Sequence, residues 1–204
     1  MGKKSMAFLF PGVKSQIEGK DMYEVIWHGR GGQGVVLAAQ ILAESAYLQG
    51  FKGVTSAPTF GPERRGAPLT ASTRISDTPI RTFSQIERAD VAVVLDPSLL
   101  VVVDILGSLK PGGWLIVNTT HAPDELDIPD DVRVATADAA AIALQFRLLK
   151  EGAPIVNTPM LGVFSKASGL VDVAHLERGL RWKLSGTAAA TNIAALRAAY
   201  EEAS

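Results

Sequence analysis

Two kinds of hydrophobic pattern alternate along the chain. Residues 91–95 form an almost unbroken apolar run, typical of a strand covered on both faces of a parallel sheet. In residues 69–75, small or apolar side chains alternate with polar ones, which indicates a strand with one solvated face. Longer stretches with small apolar residues on one face predict helices. Several end at a glycine, as residues 33–49 do before Gly50.

Over the whole chain these patterns predict strands that alternate with helices. The predicted strands are 23–27, 52–56, 69–75, 91–95, 114–117 and 132–135, and the predicted helices are 33–49, 98–109, 137–150, 157–168, 173–184 and 187–203. Asp77-Thr78 is predicted to turn a hairpin into 79–81. The order favours an α/β fold: a three-layer sandwich with a largely parallel, Rossmann-like sheet and an inserted β-hairpin.

Composition narrows the class of protein. Of 204 residues, 47% are hydrophobic and 20% charged, as in globular domains. The net charge of -1 gives no electrostatic reason to expect nucleic acid or a membrane surface as partner. No stretch approaches the roughly 18 apolar residues of a transmembrane helix, so we expect a cytoplasmic protein. Without cysteine, the chain cannot supply thiolate ligands to an iron–sulfur cluster.

A glycine-rich turn follows the first predicted strand and comprises Gly29, Arg30, Gly31, Gly32, Gln33 and Gly34. It matches G-x-G-x-x-G, in which small residues permit a tight turn and the helix start favours an anion. A dinucleotide site also needs an acidic residue about 20 positions on, and residues 52–57 contain none. The turn therefore serves local geometry alone, an anionic ligand, or a subunit interface.

A second motif is a loop with two adjacent arginines. Arg64 and Arg65 follow Glu63 and lie between Pro62 and Gly66-Ala67-Pro68. Proline and glycine restrict such a loop, and guanidinium groups suit carboxylate or phosphate recognition. The alternatives are a solvated charged loop or an arginine paired with Glu63.

Other polar residues carry weaker signals. The three histidines lack metal-ligand spacing, so no metal is expected. His28 lies beside the glycine turn and either reaches a ligand or has a structural, hydrogen-bonded role. Asp96 ends a predicted central strand, and because Pro97 follows we interpret it as the N-cap region of a helix. No residue is assigned a catalytic role.

Together, the two motifs resemble the gamma subunit of the 2-oxoacid:ferredoxin oxidoreductases, the pyruvate synthase group. The matching segments are 29–36, 60–68, 73–80, 95–97 and 157–162. The resemblance covers about residues 22–200, so we expect residues 1–21 to be an N-terminal extension and residues 22–204 to be the gamma domain. Thr191-Asn192-Ile193 is only a loose match in the last helix.

The resemblance implies a division of labour. Such complexes decarboxylate a 2-oxoacid on thiamine diphosphate with Mg²⁺, pass electrons through [4Fe–4S] clusters to ferredoxin, and release an acyl-CoA. The alpha, beta and delta subunits hold those cofactors, and none is implied for this chain alone. The gamma domain is implicated in coenzyme A access, so the glycine turn and Glu63, Arg64 and Arg65 are candidates for coenzyme A phosphates or for a neighbouring subunit.

Several alternatives remain open from the sequence. Pyruvate is the implied substrate, with branched-chain, aryl (phenylglyoxylate) and 2-oxoglutarate substrates as alternatives. From the residues alone, a stand-alone Rossmann-like nucleotide-binding protein and a pure interaction scaffold are further possibilities.

Overall fold

The computed structural model describes residues 20, 22–58, 66–82 and 84–204. A six-stranded sheet forms its centre. The strands are β1 (Tyr23–Arg30), β2 (Gly53–Pro58), β3 (Pro68–Ser76), β4 (Ala89–Val94), β5 (Leu109–Asn118) and β6 (Arg133–Ala137), and a separate ribbon pairs β7 (Leu149–Lys150) with β8 (Ala153–Pro154). The helices are α1 (Val35–Gln49), α2 (Leu99–Val102), α3 (Ala139–Gln145), α4 (Asn157–Ser168), α5 (Val173–Lys183) and α6 (Gly186–Glu202). Within the described ranges, no helix is long and apolar enough to cross a membrane.

The sheet has the strand order β2-β3-β1-β4-β5-β6. The strands β1, β4, β5 and β6 run parallel to one another. By contrast, β3 is antiparallel to both of its neighbours, β1 and β2. The chain leaves β1 through α1 toward β2 on one side, and β4 leads to β5 on the other. The carboxyl ends of β1 and β4 therefore flank a switch point, where open α/β sheets bind ligands.

Helices cover both faces of the sheet, and each face has its own apolar core. The larger core lies under α1 and α3 to α6, where the rings of Trp27 in β1 and Phe164 in α4 have centroids 6.0 Å apart. The smaller core joins Val94 of β4 and Val117 of β5 to Leu99 of α2. Burial on both faces is the physical reason for the continuous apolar runs in the central strands.

Most predicted elements are confirmed. The helix α4 begins and ends at the predicted residues, and Gly169 follows it in the left-handed conformation with φ 63°. Gly50 ends α1 in the same way with φ 110°. The mostly parallel α/β sheet is also confirmed.

The predicted partner of the antiparallel strand is wrong. Residues 79–81 form no strand, and β3 pairs with β1 and β2 instead. Pro79 lacks the N–H that a ladder requires. The neighbouring segment packs on Gly53, where a Cβ would lie 2.1 Å from the Thr78 oxygen and 2.8 Å from the Ile80 side chain. The inserted hairpin is therefore β2–β3, and the segment that joins these strands includes the two arginines.

Two predicted helices are shorter than expected. The prediction for 98–109 is wrong beyond Val102, because Val103 is already extended (φ -129°, ψ 135°) and a run of β-branched valines is unfavourable in a helix. A 3₁₀ turn at Leu106–Ser108 then leads into β5. The prediction for 137–150 is wrong beyond α3, because Arg147 adopts a left-handed conformation with φ 56°. The chain turns there into the β7–β8 ribbon.

Candidate functional site

The glycine turn is shaped by two close approaches. The strand β1 continues through Gly29, where a Cβ would lie 2.5 Å from Cγ2 of Val35. Gly34 caps α1 with φ 80°, and its Cβ would lie 2.4 Å from Nδ2 of Asn157. That amide nitrogen donates to the Gly34 carbonyl oxygen at 3.2 Å. At both positions a larger residue would collide with a neighbouring side chain, so glycine is required. Gly34 must also be glycine because its positive φ is unfavourable for other residues.

The Arg30 side chain is bound mainly by the chain itself. Its Nε donates to Asp96 Oδ2 at 2.8 Å, and its Nη2 donates to Ser98 Oγ at 2.8 Å. Its Nη1 donates to the Gly66 carbonyl oxygen at 3.0 Å. Three of the five guanidinium N–H groups thus donate to acceptors in the described part of the chain. Arg30 ties the end of β1 to the segment before α2 and to the segment before β3.

Asp96 holds Arg30 and also orders the approach to α2. Its Oδ1 accepts hydrogen bonds from the amide nitrogen of Ser98 at 3.0 Å and from its hydroxyl at 2.6 Å. Burial alone would raise the pKa of Asp96, but the Ser98 hydrogen bonds and the Arg30 guanidinium outweigh it and hold the pKa below its usual value. Asp96 is therefore an ionised partner of Arg30 at neutral pH. The N-cap of α2 is Ser98, two residues further on, so Asp96 lies in the N-cap region, as interpreted, without being the capping residue itself.

Backbone hydrogen bonds join the two sequence motifs. The Gly31 amide donates to the Ala67 carbonyl at 2.9 Å, and the Gly66 amide donates to the Gly31 carbonyl at 3.2 Å. The segment directly after the double-arginine motif is therefore bonded to the glycine turn. Glu63, Arg64 and Arg65 themselves lie outside the described residues, and their role stays a prediction.

A cleft of about 1340 Å³ opens beside the turn, beyond the carboxyl ends of β1, β4 and β5. The first turn of α1, the start of β3 and the tip of the β7–β8 ribbon form its walls. Gln40, Thr70 and Asn118 contribute polar side chains, and the charged lining residues in the described part of the chain are Lys150 and Glu151. An apolar cleft with a few polar groups at a switch point has the character of a ligand site.

Four of the six predicted turn residues line this cleft. Residues 31–34 line it, whereas Gly29 and Arg30 are absent from its walls. Sequence reasoning assigned no role to Asn157, although this residue begins one of the matching segments. It also missed Lys150 and Glu151, because that region has the pattern of a helix.

His28 does not reach the cleft. The side chain is only 5% exposed, and burial lowers its pKa to about 4, so it is neutral at pH 7. Its Nε2 has no hydrogen-bond partner among the described residues. In the same ranges, no group of three His, Asp or Glu side chains is placed to hold a metal ion.

This geometry defines a Rossmann-like α/β protein with a ligand cleft at the switch point of its sheet. The family model for pyruvate ferredoxin/flavodoxin oxidoreductase matches residues 24–202, and the chain belongs to this family. It is 48% identical to the pyruvate/ketoisovalerate oxidoreductases common subunit gamma of Pyrococcus furiosus, over 89% of this chain and 97% of that protein. It is 43% identical to the gamma subunit of NADH-dependent phenylglyoxylate dehydrogenase of Aromatoleum evansii, over 89% and 94% of the two chains.

A solved structure agrees with these relatives. Subunit PORC of pyruvate oxidoreductase from Thermotoga maritima superposes with a TM-score of 0.76 and is 34% identical, covering 91% of this chain and 98% of that one. The chain is therefore a gamma subunit of a 2-oxoacid:ferredoxin oxidoreductase complex.

Proposed function

We propose that the complex containing this chain oxidatively decarboxylates pyruvate to an acyl-CoA and passes the electrons to ferredoxin, and that the cleft at the glycine turn helps to bind coenzyme A. The partners in this proposal are alpha, beta and delta subunits in the cytoplasm. The cleft is the observation that carries the proposal. Its volume of about 1340 Å³ would accommodate a large cofactor, and it lies where α/β sheets bind ligands.

The walls of the cleft suit a ligand that is partly apolar and partly anionic. The first turn of α1 borders the cleft, and helix geometry leaves its first amide groups without intrahelical acceptors. These amides and the helix dipole favour phosphate. Lys150 and Glu151 place one positive and one negative charge at the tip of the ribbon, and Val36 and Leu37 add apolar surface. Arg64 and Arg65 precede Gly66, which is hydrogen-bonded to the turn.

The oxidation itself is assigned to other chains. Thiamine diphosphate with Mg²⁺ supplies the decarboxylation chemistry in this proposal, and [4Fe–4S] clusters carry the electrons. This chain has no cysteine, so its residues do not fit a cluster. Its contribution is to bind and orient the acyl acceptor and to complete the assembly.

The names of the relatives support pyruvate as the first candidate substrate. A subunit that is common to pyruvate and ketoisovalerate oxidoreductases serves two substrates, which supports a substrate pocket mainly on other chains. The phenylglyoxylate relative makes an aryl 2-oxoacid the second candidate. The ratio of kcat/KM values for pyruvate, 2-oxoisovalerate, phenylglyoxylate and 2-oxoglutarate on the purified complex distinguishes them.

The test of coenzyme A binding is an Arg64→Ala/Arg65→Ala variant in the assembled complex. If the arginines contact coenzyme A phosphates, the KM for coenzyme A rises by roughly tenfold or more, because charge-assisted hydrogen bonds are lost. The KM for the 2-oxoacid should stay unchanged. Steady-state kinetics at fixed ionic strength measures both values.

A matched control replaces two exposed arginines elsewhere, Arg81→Ala/Arg88→Ala. This variant loses the same formal charge and should keep the KM for coenzyme A. An unchanged KM in the Arg64/Arg65 variant, with an intact complex, would overturn the coenzyme role. Loss of subunits from the purified complex would instead assign the arginines to the interface.

A further inference from the structure

We propose that an apolar groove beside α2 is a docking surface for another subunit of the same complex, one that presents an apolar segment flanked by lysine or arginine. The α2 groove consists of residues 100–106 and 126–128 and has a volume of about 500 Å³. It lies on the sheet face that carries the smaller core, opposite α1.

The groove exposes an unusual amount of apolar surface. Val101 is 89% exposed and Val102 is 63% exposed, although Leu99 in the same short helix is buried. The neighbouring Leu126 and Ile128 are only partly covered by the core below. Contiguous apolar surface with a polar rim is typical of a protein interaction site.

The charged residues that line the groove in the described part of the chain are both acidic. Five exposed carboxylates occur within residues 124–131, and Asp127 itself lines the groove. Asp104 adds a carboxylate on the other wall. No lysine or arginine occurs between residues 111 and 132 in the sequence. Charge complementarity therefore requires a partner whose apolar segment is flanked by basic side chains.

Because this chain is a subunit of a complex, we assign the groove to another subunit of that complex. A gamma subunit has partners in its complex, whereas a second copy of this chain would bring the same acidic rim against itself in a two-fold contact. Val103 lines both the groove and the cleft at the glycine turn, so the two are neighbours. A subunit docked in the groove would then border the mouth of the cleft, and only this last step rests on the proposed function.

The test is a Val101→Glu/Val102→Glu variant, co-expressed with the other subunits of its own complex, one of which carries an affinity tag. Both positions are exposed, so thermal unfolding of the isolated chain should be unchanged. Native mass spectrometry and titration of the purified subunits should show that the dissociation constant between this chain and its partner subunit rises by roughly tenfold or more. The matched control is Tyr47→Glu, a 65% exposed side chain on α1, which should assemble normally.

A second arm tests the charge of the rim. The Asp124→Asn/Asp127→Asn variant should associate more slowly with the partner subunit than the parent chain does. The difference between the two association rates should shrink as salt is added. Unchanged assembly of the valine variant, or an equal loss in Tyr47→Glu, would overturn the proposal. Dimerisation of the isolated chain that the valine variant abolishes would assign the groove to a second copy and also overturn it. This experiment measures assembly and not coenzyme A binding, so it still tests the groove if the Arg64/Arg65 experiment shows no coenzyme A role.

Discussion

At the scale of single residues, His28 makes the stability of this chain depend on pH. Its pKa is about 4 in the folded chain against about 6.5 when unfolded, because burial disfavours the charged ring. Above about pH 6.5 the ring is neutral in both states. Below that, the unfolded chain binds a proton that the folded chain rejects, so the free energy of unfolding falls until about pH 4, by a total on the order of 3 kcal/mol.

A His28→Gln variant should therefore lose much of the fall in unfolding free energy between about pH 6.5 and about pH 4.5. Urea unfolding of both proteins across this range measures the slope. The carboxylates with lowered pKa values, such as Asp96, titrate below this window. An identical slope in the variant would refute the assignment, and a His28 NMR titration with a midpoint near 6.5 would do so directly.

Single residues also show where sequence reasoning ends. Gly29 and Gly34 could be predicted, because only glycine fits where a strand turns sharply into a helix. The partner that occupies the space beside Gly34 is Asn157, 123 positions away in the sequence, and no local pattern predicts that contact. Arg30 could be recognised as a candidate, but its hydrogen bonds to Asp96 and Ser98 depend on the neighbouring strand.

At the scale of elements, the junction of α1 and α4 predicts a difference between two glycines of the same turn. Gly34→Ala should lower the free energy of unfolding by about 2–4 kcal/mol, because the new Cβ both strains a left-handed residue and displaces Asn157. Gly32→Ala is the control, since φ is 98° but no atom lies within 4 Å of its Cβ, and should cost only about 1 kcal/mol. Chemical denaturation measures both, and equal losses would contradict the role of the contact.

Elements differ in how well their patterns predicted them. The helix α4 has a long buried pattern and a glycine at its end, so its bounds were predictable. The prediction for α2 was too long because the apolar run from Leu99 to Val103 fits a buried helix and a buried extended segment equally well. Tertiary packing decides between the two. The same ambiguity concealed the β7–β8 ribbon and with it one wall of the cleft.

At the scale of the whole molecule, an ion-pair network joins the four central strands. Glu24 of β1 pairs with Arg74 of β3 at 3.0 Å, and Lys110 of β5 bridges Glu24 and Asp90 of β4, both at 2.9 Å. Lys20 also pairs with Asp90. The alternation of strands and helices predicted the fold class, but the strand order depends on such long-range contacts and on the place of β3 beside β1. These could not be predicted from local pattern.

The network predicts a stability difference with a defined pH range. Burial alone would raise the pKa of Asp90, but hydrogen bonds from Lys20, the Glu24 amide and Lys110 lower it below its usual value of 3.8. Its stabilisation is then complete above that value and is lost only as pH falls through the lower folded-state pKa. Asp90→Asn should cost about 1–3 kcal/mol at neutral pH, because the charge-assisted bonds are weakened.

The cost of Asp90→Asn, measured by urea unfolding, should stay constant from about pH 7 to about pH 5, because Asp90 remains ionised in both states of the parent chain. The exposed Asp130→Asn is the control and should change the unfolding free energy by less than about 0.5 kcal/mol. A cost that already shrinks between pH 7 and 5 would mean that another titrating group dominates the network. A constant cost would identify the charge of Asp90 as one that holds β4 to β5 at the end of the sheet opposite the cleft.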